Sequence, residues 1–187
     1  MNIFRINFDD LYRRHLCRHG HFGINVLHLV AVVGTYVAVF GIVHGVLAAT
    51  SQPNPMPILV ALTLPWYVTV ISNVPLRVSA ATGLFVAALL AVFNYLPEIP
   101  VWIWVVLIFA MHQFQQYSHR LYHMHKDMSE FEGRYPKGRK RFVLLLVYEL
   151  PILLNYLLFN RTAERQDIRD FTARVLATHS ASWHQSH

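Results

Sequence analysis

The chain alternates long apolar runs with short polar breaks. Residues 24–49, INVLHLVAVVGTYVAVFGIVHGVLAA, form the first run, and TSQPNPMP at 50–57 ends it. A second, shorter run covers 58–74 with Pro65 inside it, and Asn73, Pro75 and Arg77 mark the turn that follows. The third run, 78–96, is rich in alanine and closes on LPEIP at 96–100. The fourth, 101–118, opens on Trp102 and Trp104. About 20 apolar residues cross a bilayer core as a helix, so the pattern predicts four transmembrane helices within 24–118. An internal proline is tolerated in such helices, and tryptophans favour the headgroup level.

A fifth apolar segment, 142–159, reads FVLLLVYELPILLNYLLF and is interrupted by Glu149, Pro151 and Asn155. The expectation is a segment broken at Pro151, re-entrant or interfacial rather than spanning. The lead, 1–22, is polar and basic. Its Phe4, Phe8, Leu11, Tyr12 and Leu16 are spaced like the apolar stripe of an interfacial helix. Segment 119–141 is polar and basic, and the tail, 160–187, carries Ile168, Phe171, Val175 and Leu176 at the spacing of a short amphipathic helix. The predicted fold is therefore a single all-α integral membrane domain over 1–187, with four transmembrane helices and a Pro-broken fifth segment.

Composition agrees with this. Hydrophobic residues make up 55% of the chain and charged residues 14%, against roughly 25% charged in a soluble protein. Between His19 and His119 the only charged residues are Arg77 and Glu98, too few to coat a water-facing surface. The net charge of +6 is then read as loops facing anionic lipid, with the bilayer as partner and no nucleic acid. Four Lys/Arg lie in the lead, seven in 119–141 and four in the tail. Four crossings put the lead and 119–141 on one side, which the positive-inside rule makes cytoplasmic. The lead has no short apolar core closed by a small-residue cleavage site, so the first run is expected to stay as its own insertion signal. Cys17 is the single cysteine, which excludes an intramolecular disulfide and a cysteine-based zinc site.

The candidate chemistry is in the histidines. On a helix through 111–125, His112, Gln116, His119 and His123 fall at i, i+4, i+7 and i+11, on one face. His21, Asn25 and His28 repeat the i, i+4, i+7 spacing near the start of the first run. With an even number of crossings between them, both groups lie at the cytoplasmic end of the bundle. Imidazoles converging from neighbouring helices hold iron, zinc or copper, and polar groups at membrane depth are costly enough to be functional candidates. His21, His28, His112, His119 and His123 are the candidate ligands, with Asn25 and Gln116 as groups that orient them. His15, His19 and Glu149 are possible additional ligands. Arg120 and Lys126 stand near enough in sequence to meet a carboxylate head group. His44 lies at the far end of the first run and belongs to neither group.

Two family resemblances follow from these residues. His19-Gly-His21-Phe-Gly-Ile-Asn25-Val-Leu-His28, followed by HQFQQYSH at 112–119, resembles the paired histidine motifs of the DUF962 family of small four-helix membrane proteins. The resemblance covers size, helix count and motif order. The Asn–His gap is two residues here where that family has three, and its Asn-Pro pair and the Gly-His and Glu of its second motif are absent. It implies an Fe(II)-dependent dioxygenase that shortens 2-hydroxy fatty acids by one carbon. His119-x3-His123 and His15-x3-His19 also resemble boxes of the membrane fatty acid hydroxylase and desaturase superfamily, a di-metal group, though the H-x2-H-H boxes are missing.

The leading expectation is a membrane oxygenase with non-haem Fe(II) acting on a lipid-like acyl substrate such as a 2-hydroxy fatty acid. Three alternatives stay open: a hydroxylase-like di-metal enzyme using iron or another transition metal, a haem-binding electron carrier ligated by His28 with His112 or His119, and a non-catalytic transporter or assembly factor. Oligomeric state is not legible.

Overall fold

A computed structural model describes residues 4–50, 56–93, 95–96, 99–122, 135 and 138–159. His123, Lys126 and the tail lie outside them. The described residues form six α-helices and no strand: α1 (Phe8–His19), α2 (Phe22–Ala49), α3 (Met56–Ile71), α4 (Leu76–Phe93), α5 (Val101–Leu121) and α6 (Arg139–Leu154), which runs into a π-helical turn at Asn155–Phe159. The chain is thus all-helical over this range.

Three helices are long and apolar enough to cross a membrane: α2, α4, and α6 with its π turn. α3 is apolar but has only 16 residues. α5 has 21 residues, but its last ten, from His112, are mostly polar. The outer faces keep their apolar residues: Leu76, Leu84, Trp102 and Phe109 are all exposed. Helices apolar on every side are what a lipid solvent selects.

α2 and α5 form the most extensive helix pair. A side chain added at Gly23 would meet Tyr122, one at Gly34 would meet Met111, one at Gly41 the Trp104 ring, and one at Gly45 Val101. As numbers rise along α2 they fall along α5, so the two helices are antiparallel. The glycines form one stripe that lets the backbones approach closely, the usual device where lipid removes the hydrophobic drive between helices. This register brings the start of α2 beside the end of α5.

α1 is a packed element. The Asn7 side chain caps it by accepting from the Asp10 amide. Phe8, Leu11 and Tyr12 are buried in a cluster with Val70, Val78, Leu144, Tyr148 and Tyr156. The expected stripe is present, with Leu16 packed at its edge, while Phe4 stands exposed. The Ile6 amide donates to Asn73 Oδ1 at 3.0 Å, which ties the lead to the α3–α4 turn.

The fifth segment departs from expectation at Pro151. α6 passes through this residue and becomes irregular only at Asn155. A proline in a helix leaves the carbonyl four residues earlier without its amide partner, here that of Val147. The Trp66 indole N–H donates to that carbonyl at 3.0 Å, which removes the reason to break. Both ends of α6 are tied near α1. Arg141 donates to the Tyr135 carbonyl, and the Tyr135 hydroxyl donates to Asp10 at 2.8 Å. At the other end the Tyr156 hydroxyl donates to the Gly20 carbonyl at 3.0 Å, and Arg77 lies over the Phe159 ring.

Candidate metal centre

Four imidazoles meet where α1, the start of α2 and the end of α5 converge. His15 stacks on His19 with ring centroids 4.2 Å apart. His19 stands edge-on to His28 at 4.4 Å and to His119 at 4.8 Å, and His28 meets His119 at 4.8 Å. In His19, His28 and His119, one ligand atom from each ring lies within 4.8 Å of the others.

Hydrogen bonds decide which nitrogens are available. His19 is one turn after His15, and its Nδ1 contacts the His15 carbonyl at 3.2 Å. A carbonyl only accepts, so Nδ1 carries the proton and Nε2 keeps its lone pair. His28 Nδ1 lies 3.3 Å from Glu149 Oε1, and the carboxylate fixes the same tautomer. The Nε2 atoms of His19 and His28 are buried and have no hydrogen-bond partner. Buried polar atoms are nearly always satisfied, so two orphaned lone pairs on adjacent rings fit a metal ion. Each ring is backed by an acceptor on its other nitrogen, the usual arrangement behind a metal-bound imidazole.

Gln115 holds the carboxylate. Its amide Nε2 donates to Glu149 Oε1 at 2.6 Å. The same nitrogen is 3.3 Å from His28 Nδ1, but with both nitrogens carrying protons this is proximity, not a bond.

His15 plays a different part. Its Nε2 lies 2.8 Å from Asn25 Oδ1. The Asn25 amide donates to the carbonyls of His19 and His21, so its Oδ1 faces His15 and accepts from that ring's N–H. Asn25 is fully buried and joins the end of α1 to the start of α2. Burial pushes His15 down to about 3, and the nearby charge of a protonated His28 would push the same way. His19 lies well below its ordinary value, again mainly through burial and then through His15 and His28. Both rings are held neutral, the state that binds metal.

The remaining candidates separate. His21 is exposed and caps α2, its Nδ1 accepting from the Gly23 amide, so it does not join the three. It faces the Tyr122 ring at 4.8 Å. His112 and Gln116 are exposed residues on the rim of the adjoining cavity. Arg120 is exposed. His44 stands against Phe93 at the far end of α2. His19 and Glu149, placed by sequence only as possible additions, are central.

A cavity of about 420 Å³ opens beside the three histidines. Arg14, Arg18, Thr35, Tyr36, Gln115 and Glu149 give it polar walls. Val32, Ile108, Phe109, Phe142, Leu145, Leu146 and Ile152 give it apolar ones. The volume is in the range of about 300–1,000 Å³ typical of small-ligand pockets. Sequence spacing did not single out Gln115, Tyr36 or Arg14. Gln115 was within reach, one helical turn before His119. The chain matches no protein-family model, no curated protein and no solved structure.

Proposed function

We propose that this protein is a metal-dependent membrane oxygenase of the non-haem Fe(II) type, acting on a lipid-like acyl substrate such as a 2-hydroxy fatty acid. The observation that carries the reading is the pair of buried, unpartnered Nε2 atoms of His19 and His28 beside His119. These three side chains would hold the ion. Glu149 orients His28 and raises its basicity, while the His15 carbonyl orients His19. A bound transition metal supplies Lewis acidity and, as iron, redox chemistry toward O2. The protein's part is to keep His19 neutral, position the three rings, and offer a part-apolar cavity beside them.

Ring geometry favours a naked ion over haem. The rings of His19, His28 and His119 stand 4.4–4.8 Å apart, too close for a flat macrocycle to lie between any two of them. A DUF962-like dioxygenase accords with an asparagine and histidines at the start of α2 and a histidine at the end of α5.

The same reading takes α2 to α5 as four crossings. His28 and His119 then share one end of the bundle, and the basic lead and 119–141 make that end cytoplasmic. α6 is taken as re-entrant. In support, the contacts of its two ends reach α1, the α1–α2 corner and the residue just after the α3–α4 turn, all elements of that end.

The test is anaerobic purification with added Fe(II), elemental analysis, an absorption spectrum, and oxygen uptake with 2-hydroxy fatty acid. The expected result is stoichiometric iron without a Soret band, lost in His28→Ala and His119→Ala, with oxygen uptake that follows the iron. Wild-type protein that takes up no metal, or that shows a Soret band, overturns the reading.

A further inference from the structure

Arg14 is the one buried arginine among the described residues, 4% exposed, and it lines the cavity beside the histidines. A buried guanidinium normally has a carboxylate partner, because removing its charge from water is costly. Among the described residues Arg14 has none. Asp10, one turn earlier on α1, is engaged by Tyr135 and Arg13. Glu149, the carboxylate in the cavity wall, is turned to Gln115 and His28. The Arg14 guanidinium carbon lies over the Tyr135 ring, 5.9 Å from its centroid. Arg18, one turn later, lines the same cavity. Burial lowers the Arg14 pKa, and repulsion from Arg141 and Arg18 lowers it further. Two neighbouring positive charges with no carboxylate partner among the described residues leave room for an anion. The apolar residues of the same cavity, Phe109, Phe142, Leu145 and Leu146, fit an apolar chain.

We propose that Arg14, assisted by Arg18, is the recognition site for an anionic oxygen head group, carboxylate or phosphate, carried on an apolar chain that lies in the same cavity. This deepens the reading above by assigning the residues that position its ligand, and it rests on that reading only for what happens after binding. Arg14 supplies a preformed donor fork on a packed helix. Arg18, exposed at the mouth, draws the head group in.

The probes are dodecanoate, dodecyl phosphate and dodecanol, titrated calorimetrically into metal-free protein in neutral-detergent micelles. Charge-assisted hydrogen bonds in a buried site are expected to favour at least one anion over the alcohol by about tenfold or more. Arg14→Gln removes the preference. Arg18→Gln, at an exposed position that leaves the fold intact, reduces it. His119→Ala keeps it while abolishing metal uptake, which separates this proposal from the metal centre. The better anion of the two identifies the head group as carboxylate or phosphate. Equal binding of all three probes by wild type, or an undiminished preference in Arg18→Gln and in folded Arg14→Gln, overturns the proposal.

Discussion

The Trp66 indole N–H donates to the Val147 carbonyl at 3.0 Å, the carbonyl that Pro151 leaves without a helical partner. The bond spans 81 residues, joins α3 to α6, and lets α6 continue to the turn that follows Glu149. Trp66→Phe should therefore destabilise the protein in detergent by about 1–3 kcal/mol, the cost of an unsatisfied buried carbonyl. Restoring an amide with Pro151→Ala should recover part of that loss. A double-mutant cycle by thermal unfolding checks the coupling. Additive effects would show that the two residues do not share this carbonyl.

Glu149→Gln keeps the size of the side chain but removes the charge that orients His28. Partners behind a metal-bound imidazole are worth about 10–100-fold in affinity. Competition with a chelator should show weaker metal retention by that order, with the helical content unchanged in circular dichroism. Gln115→Leu, which frees the carboxylate, should shift retention in the same direction by a smaller factor.

A bulkier residue in the glycine stripe should separate α2 from α5. Gly41→Val would meet the Trp104 ring, and overpacking costs about 1–3 kcal/mol. The readout is metal uptake as well as melting temperature, because His28 and His119 lie on the two separated helices. Gly138→Ala is the contrast. Gly138 has open space around it, yet its φ of 147° is a conformation only glycine adopts easily. That variant should disturb the start of α6 and leave the α2–α5 register unchanged.

The buried histidines set the pH response of the metal-free protein. His15 has a folded-state pKa near 3 against an ordinary 6.5. Between those values the unfolded chain binds the extra proton, so stability rises with pH across the window. It is complete above about pH 6.5 and is lost progressively as pH falls below it. Melting temperature from pH 7.5 to 4.5 should decline for wild type and decline less for His15→Gln.

The helices and the membrane character were legible in the sequence because lipid solvation writes itself into long apolar runs. The rotational phase of α5 was not. Spacing put His112, Gln116, His119 and His123 on the inward face. In the structure Met111, Gln115 and Tyr122 meet α2, each one residue earlier than that face, with His119 beside them. α5 is apolar all round up to Met111 and polar on most sides from His112, so neither half signals which face turns inward. The missing information was in α2, where glycines at 34, 41 and 45 mark the contact face. His19 stands only as a possible addition in the sequence for a related reason. The corner at Gly20 made the relation of α1 to α2 unreadable, and Asn25 secures that corner. Glu149 was identified as a costly charge in an apolar segment, a cost that points to a role without naming the partner.

The centre draws its ligands from the beginning and the end of the four-helix stretch. His19 and His28 leave the ribosome before α3 and α4 exist, while His119 and then Glu149 emerge much later. On the proposed reading, a metal meeting the nascent chain would find only two of the three proposed ligands, His19 and His28, an incomplete site that would release it readily. The full set comes together only when α5 has packed antiparallel to α2 and Glu149 of α6 has met Gln115 and His28. If the centre holds a metal as proposed, metal retention would read out the completed assembly of α1, α2, α5 and α6, and a chain arrested before α5 would stay unmetallated.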